Sequence, residues 1–464
     1  MKYLFAMDLS VVNERCFFPA SFKHYVHASE HKAFSTPSCP AADCFATFGF
    51  HDEKRWSHLL KVLATPVHNC SGLIAVIKIF RPKVDDLSNL LEALSELSQH
   101  PTGIEISNSF FEKTIPKMVQ AVVSSKSIFS NNLPLLLANK TFESVTLDRK
   151  DCFVLLSLAF FGLVKQPKGK FSEFSLLSLF EGNSVGRREK LKCFLQYFHF
   201  CATEDVFGQV TFYRKSTPKM EIPKWHNLSL NITDALALTS KIEDAKNFSS
   251  IVDFANKYFS GGTLGEGCVQ EEIMLCQHTE ATIGVLLYEK FGDNDAAQIF
   301  GVSKVNDTRG YGKSFKWQGL HAMASARDKN IVIMDAVDYS RCAEDQFSAD
   351  SIERELCKAY TAFKSSDPDA PPIATGKWGC GVFKGEPKLK IILQLLAASA
   401  CCRNIHFHLL NDKILIQEFE EFKSHIYSKS TSVANVYSIV KQYCASRTRD
   451  QELQCLFNFI EKRL

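Results

Sequence analysis

Apolar residues recur at helical spacing through the first part of the chain. Trp56, Leu59, Leu60 and Leu63 stand at i, i+3, i+4 and i+7, the stripe that a core-facing helix presents. Leu87, Leu90, Leu91, Leu94 and Leu97 line a second such stripe, and residues 115–123 and 150–164 continue the style. Ahead of them, residues 1–50 contain Pro19, Pro37 and Pro40 and give no clear period. After about residue 206 the pattern changes. Short β-rich runs at 209–213, 228–232, 251–254, 331–336 and 404–410 alternate with helical stretches at about 345–364, 386–402, 413–426, 431–444 and 451–463. Strands alternating with helices predict a three-layer α/β domain. The expected division is an irregular segment 1–50, a helical accessory region 51–205 and an α/β domain 206–464.

Composition narrows the class without naming a function. The 464 residues are 45% hydrophobic and 23% charged, which excludes a disordered tail or a repeat fibre. A net charge of +3 is too small to argue for nucleic-acid binding, so no sequence-specific nucleic-acid partner is expected. The longest apolar run, CFVLLSLAFFGLV at 152–164, is thirteen residues, short of the roughly 20 that a membrane-spanning helix needs. It reads as a core helix, and no membrane partner is expected. The opening MKYLFAMDLS is broken by Asp8, too short for a secretory apolar region. Of sixteen cysteines, Cys401 and Cys402 are adjacent, while Cys152, Cys193, Cys357 and Cys455 sit inside apolar runs, and no CxxC occurs. That spacing suits a reduced interior with no metal site. A cytoplasmic or nuclear monomer without cofactor is expected. Arg187, Arg188, Lys190 and Lys192 form the densest basic group, read as charge on a helix face.

Two glycine-rich loops carry candidate chemistry. SGGTLGEGCVQEEI (260–273) follows the strand-like SIVDFAN (250–256) and places Gly261, Gly262, Gly265 and Gly267 just before Gln270-Glu271-Glu272. Glycine lets backbone N–H groups approach an anion closely, and a carboxyl at the end of such a loop can protonate a leaving oxygen. Adjacent side chains on a strand face opposite ways, so both glutamates share one site only on irregular backbone. A solvated Glu-Glu pair after a plain turn fits the same residues. The second loop, IATGKWGCGVFKGE (373–386), sets Gly376, Gly379, Gly381 and Gly385 between an apolar start and a strong helix opened by Pro387. Strand, glycine loop and helix N-terminus together suit phosphate. The order GxxGxG is neither a dinucleotide fingerprint nor a P-loop, and a merely structural turn fits as well. In DTRGYGKSFKW (307–317), Tyr311 lies between two glycines, placed to stack on a base or bond a phosphate, or to act structurally.

VDFANKYFSGGTLGEGCVQEEI (252–273) resembles the signature of the poly(ADP-ribose) glycohydrolase family, and ATGKWGCGVFKGE (374–386) resembles its diphosphate loop. RGYGKSFKW (309–317), LFEGNSVGRREKLKCFLQYF (179–198) and GQVTFYRKS (208–216) resemble further stretches of it, so that the likeness covers roughly 150–445. The resemblance implies a macrodomain-like α/β/α fold with a mixed sheet behind a helical accessory domain. It implies hydrolysis of the ribose–ribose O-glycosidic bonds of poly(ADP-ribose), acting from chain ends on polymer carried by ADP-ribosylated proteins. By position, Glu272 is the general acid and then base, and Glu271, assisted by Gln270, holds ribose hydroxyls. Asn256 positions ribose and loop. Ile242 and Glu243, eleven and ten residues before Asp253, match an adenine-contacting pair. Asp253, Gly261 and Gly262 belong to the substrate site, as does Tyr311 over the adenosine and diphosphate. Gly376, Lys377, Gly379, Cys380, Gly381 and Phe383 form the diphosphate cradle.

The sequence also departs from the family. Ser260 replaces the first of three glycines, an expected slight stiffening. Lys377 replaces asparagine and adds a cation near phosphate. Glu386 replaces aspartate, a poorer N-cap. Leu410 takes the place of a stacking phenylalanine, with His408 near the strand's other aromatic. A reader that binds polymer through the same cleft without cutting it rests on Leu410 and Lys377. A hydrolase of small ADP-ribosyl esters is the third reading. The intact Gln270-Glu271-Glu272 favours the polymer-cutting enzyme.

Overall fold

The computed structural model describes residues 44–464 apart from 85, 102–103, 105, 131, 139–142, 168, 218–224, 226, 246–248, 326–328, 368 and 448–454. Most of the expected irregular segment therefore lies outside the described residues, as does the start of the helical stretch expected at 451–463. Helices α1 (Glu53–Leu63), α2 (Cys70–Phe80), α3 (Ser88–Gln99), α4 (Ile115–Ile128), α5 (Arg149–Phe160) and α6 (Val185–Thr203) come first. In α1 the predicted face is the buried one, with Trp56, Leu59 and Leu63 inside and Asp52 capping the N–H of Arg55 at 3.1 Å. The run 152–164 is not one helix. It ends at Phe160, turns at Gly162 (φ +64°) and enters Val164–Lys165, which pairs antiparallel with Thr47–Phe48. A Cβ at Gly162 would lie 2.7 Å from Arg81 and Leu177, so the turn is built for glycine.

Eight strands form one mixed sheet: β1 (Ser144–Asp148), β2 (Gln209–Ser216), β3 (Leu236–Leu238), β4 (Ser250–Ala255), β5 (Asp295–Val302), β6 (Lys329–Asp335), β7 (Ile373–Gly376) and β8 (Ile405–His408). Their order is β1-β2-β5-β6-β4-β7-β8-β3. The run β6, β4, β7, β8, β3 is parallel, whereas β5, β2 and β1 continue antiparallel. Every residue of β7 and all but one of β4 are buried, so helices cover both faces, as parallel strands require. Helices α7 (Gln270–Gln277), α8 (Ala349–Phe363), α9 (Pro387–Ala400), α10 (Lys413–Tyr427), α11 (Val433–Ser446) and α12 (Leu456–Glu461) follow.

Two sequence expectations change. Residues 228–232 are not a strand. Ser229 makes only an isolated bridge to Ser432, the Ile232 N–H folds back to Leu230 O at 3.0 Å, and the sheet is joined later, by β3. Strand β1 arises inside the stretch read as helical. Its residues Ser144 to Leu147 are all buried, so it shows no alternation of apolar and polar positions. No helix among the described residues is long and apolar enough to cross a membrane. The fourteen described cysteines are all free thiols. Among the described residues, no group of His, Cys, Asp and Glu could hold a metal ion.

Candidate active site

The loops with candidate chemistry gather at the carboxyl ends of adjacent parallel strands, where open α/β sheets place their ligand crevice. The turn after β3 carries Ile242 and Glu243, the loop after β4 is the first glycine loop, and the loop after β7 is the second. Leu410 follows β8.

Glu271 and Glu272 sit in the first turn of α7, not on irregular backbone. At a helix N-terminus both side chains can turn back to unsatisfied N–H groups. Glu272 accepts from Gly262 N–H through Oε1 and from Val269 N–H through Oε2, each at 2.8 Å. Glu271 accepts from Ser260 N–H at 2.7 Å and Asn256 N–H at 3.1 Å. Gln270 anchors the same turn to β4: its Oε1 accepts from Phe254 N–H at 2.8 Å and its Nε2 donates to Val252 O at 3.1 Å. These two bonds fix the Gln270 side chain against β4. Asn256 Oδ1 accepts from Tyr258 N–H at 3.0 Å.

The glycines let the loop wrap these carboxylates. A Cβ on Gly261 (φ +47°) would lie 2.7 Å from Glu271 Oε2 and 2.8 Å from Glu272 Oε1. Ser260 adopts φ +81°, a left-handed conformation that costs a non-glycine residue roughly 1–2 kcal/mol. The substitution at 260 therefore strains the loop at a point where its N–H must face Glu271.

Asp253, on β4, is fully buried, and neither of its carboxyl oxygens has a hydrogen-bond partner among the described residues. Burial, and then the neighbouring Glu272, push its pKa well above the usual carboxylate range. Burial, then Asp253 and Glu272, do the same to Glu271. A raised folded-state pKa makes the folded form hold a proton that the unfolded form releases, so stability falls as pH rises past the unfolded value. The Asp253→Asn variant lacks that titration. Wild type is expected to lose stability relative to it above about pH 4, by up to about 1.4 kcal/mol per pH unit. Urea unfolding of both proteins from pH 4 to 8 checks this. A constant difference across the range would show Asp253 to be ionised in the fold.

The remaining expected residues join the same crevice. Glu243 Oε2 accepts from the Tyr311 hydroxyl at 2.7 Å. Burial raises the pKa of Glu243, and burial together with Glu243 raises that of Tyr311. Ile242 is buried beside them. Tyr311 lies between the hairpin strands Asn306–Arg309 and Lys316–Leu320, which show no clear sequence period. Its loop is tied to the first glycine loop by Gly312 N–H to Cys268 O at 2.7 Å.

In the second loop, Trp378 is fully buried and donates to Met334 O at 3.1 Å, with Lys390 Nζ 4.2 Å from its ring centroid. Gly379 (φ +72°) fits against Ala336 and Lys390. Gly376 ends β7 opposite His408, Gly381 is exposed and Phe383 packs on the core. Burial pushes the Cys380 thiol up to about 12, which keeps it protonated and inert. Glu386 caps α9, accepting from Leu389 N–H at 2.5 Å. Lys377 is half-buried and pairs with Asp412 at 3.1 Å. Leu410 is exposed and left-handed (φ +52°). His408 is buried, its pKa lowered by burial and then by His406, with Nδ1 2.9 Å from Ser240 Oγ.

The basic group on α6 differs from its expected role. Lys190 and Lys192 are not solvated charges on a helix face: both are buried. Lys190 Nζ donates to the carbonyls of Gly262, Gly265 and Gly267 at 2.7, 2.6 and 2.6 Å.

The family model described as the macro domain fold of poly(ADP-ribose) glycohydrolase matches residues 222–417. The model for the helical domain of the same enzyme matches residues 104–214. Poly(ADP-ribose) glycohydrolase 1 of Caenorhabditis elegans is 30% identical over 319 residues, covering 64% of this chain and 40% of that protein. Poly(ADP-ribose) glycohydrolase 2 of the same organism is 25% identical over 370 residues, 75% of this chain and 74% of that protein. Poly(ADP-ribose) glycohydrolase 1 of Arabidopsis thaliana is 25% identical over 360 residues, 61% and 65% respectively. The match thus spans less than half of the first relative's length.

Proposed function

The chain belongs to the poly(ADP-ribose) glycohydrolase family, and from that premise we propose that it hydrolyses ribose–ribose O-glycosidic bonds of poly(ADP-ribose) and releases ADP-ribose. The observation that carries the reading is the setting of Glu272: a carboxylate fixed by two backbone N–H groups in a glycine loop, at the carboxyl end of a parallel strand. In this reading Glu272 protonates the departing ribose oxygen as oxocarbenium character develops. It then takes a proton from the water that attacks the anomeric carbon. Glu271 and Asp253, whose pKa values burial and mutual proximity raise, limit the negative charge around the acid, and Glu271 offers polar contact to ribose. Ile242, Glu243 and Tyr311 would receive the adenosine. The second glycine loop and the N-terminus of α9 would receive the diphosphate. No metal or cofactor has a part. The substrate is polymer on ADP-ribosylated proteins, met by a monomer in the cytoplasm or nucleus.

Incubation with end-labelled poly(ADP-ribose) tests this. Free ADP-ribose with shortening polymer is the expected result. Polymer that is bound and left intact would make the chain a reader. Intact polymer together with cleavage of a small ADP-ribosyl ester would make it the other hydrolase.

A further inference from the structure

The loop that holds Glu272 has little regular structure, and four of residues 261–267 are glycines. Glycine loses more conformational freedom on ordering than any other residue. The loop's own hydrogen bonds are short-range: Thr263 N–H to Ser260 O, and the Gly265 and Gly267 N–H groups both to Gly262 O. Its fixed shape therefore calls for support from outside, and α6 with the turn before it provides that support. An ammonium has three donors, and the three carbonyls on Lys190 Nζ use all of them. The side chain is fully buried, so these bonds are shielded from solvent. The same helix adds an Arg187–Glu266 ion pair at 2.7 Å and a Ser184 Oγ bond to Glu266 at 2.9 Å. The Ser178 hydroxyl bonds the Leu264 carbonyl. Gly262 is the link to the chemistry: its carbonyl rests on Lys190 while its N–H holds Glu272.

We propose that Lys190 is a positioning residue of the candidate active site: its buried ammonium gathers three carbonyls of the glycine loop and so keeps the Gly262 and Val269 N–H groups aimed at the Glu272 carboxylate. The helical region is then part of the working site and more than a flank to the α/β domain. The catalytic half of this inference rests on the glycohydrolase reading, whereas the clamping of the loop stands on geometry alone.

The test compares wild type with Lys190→Met, which keeps the apolar stem and removes the donors. Three quantities are read: amide hydrogen exchange at Gly262, Gly265, Gly267 and Val269, polymer KM, and kcat for ADP-ribose release. Expected are faster exchange at those four amides, a nearly unchanged KM, and a kcat lower by about 100-fold, the cost of misplacing a catalytic group by about an ångström. Unchanged exchange in a folded variant overturns the clamp. Faster exchange with unchanged kcat overturns its catalytic role. If wild type releases no ADP-ribose, the hydrolase reading falls while the exchange comparison still decides the clamp. If the Met variant does not fold, Lys190→Gln, which keeps an amide donor on a shorter stem, carries the same readouts, and wild-type exchange with wild-type kcat there overturns the proposal.

Discussion

The Glu272→Gln variant is expected to release ADP-ribose roughly 1,000-fold more slowly than wild type, the middle of the range for loss of a general acid or base. An amide has nearly the shape of a carboxylate but cannot give a proton to a leaving oxygen or take one from water. The surroundings of Glu272 sharpen the expectation. Each of its oxygens faces a backbone donor, Gly262 N–H on one side and Val269 N–H on the other. An amide can turn its oxygen toward only one of them, so its NH2 must face the other donor. That conflict costs roughly 1–3 kcal/mol and would show as a lower urea midpoint. The adenosine end of the crevice, with Glu243 and Tyr311, and the second glycine loop are untouched. Binding of ADP-ribose, measured by calorimetry, is therefore expected to persist while turnover is lost. A variant that turns over at the wild-type rate would remove Glu272 from the role of acid.

The parts of this site that the sequence made legible are those held close together along the chain. SIVDFA is an apolar run between polar residues, and β4 forms there. The glycines and the Gln-Glu-Glu follow directly, so their meeting needs only one turn of loop. Ile242 and Glu243 are legible only through the family resemblance, and their hydrogen-bond partner Tyr311 through its flanking glycines. What stayed hidden depends on distance in the chain or on burial. Lys190 is one of several basic residues on α6, and nothing in its neighbours marks which of them turns inward. It meets carbonyls more than seventy positions away. The Lys377–Asp412 pair joins two loops thirty-five residues apart, so the cation expected beside a phosphate also ties those loops together. Strand geometry separates neighbouring side chains, so from sequence the Glu-Glu pair shares a site only on irregular backbone. The first turn of a helix solves the same problem by turning both side chains back onto the preceding loop. The strand expected at 228–232 does not join the sheet: Leu230 N–H and Leu228 O pair with Thr431 O and Val433 N–H at the start of α11, while Ile232 N–H turns back to Leu230 O, and composition does not show which partner a β-rich run takes.

Two alanine substitutions in the same loop are expected to behave oppositely. At Gly267 a new Cβ would stand 2.6 Å from Glu272 Cδ and 2.9 Å from Gly262 Cα, with Oε1 closer still. None of these atoms is the loose end of a flexible chain. Gly262 is pinned by Lys190, and the carboxylate is pinned by two N–H groups. Relief requires the loop and Glu272 to separate, so Gly267→Ala is expected to lower kcat by about 100-fold and stability by roughly 1–3 kcal/mol. At Gly265 the added Cβ meets only Gly262 O, at 3.8 Å, an ordinary contact. Neither glycine has a positive φ, so the backbone penalty of alanine is small at both and the difference between them is steric. Gly265→Ala is expected to stay within about 0.5 kcal/mol of wild type and to turn over normally. Measuring kcat and urea midpoints of the pair side by side separates two explanations of the glycine-rich sequence. Equal effects at both positions would mean that the loop needs glycine for flexibility wherever it occurs. A large effect confined to Gly267 would mean that glycine is there to let the backbone close on the carboxylate, which makes the loop a rigid holder of Glu272 in which individual glycines have separate tasks.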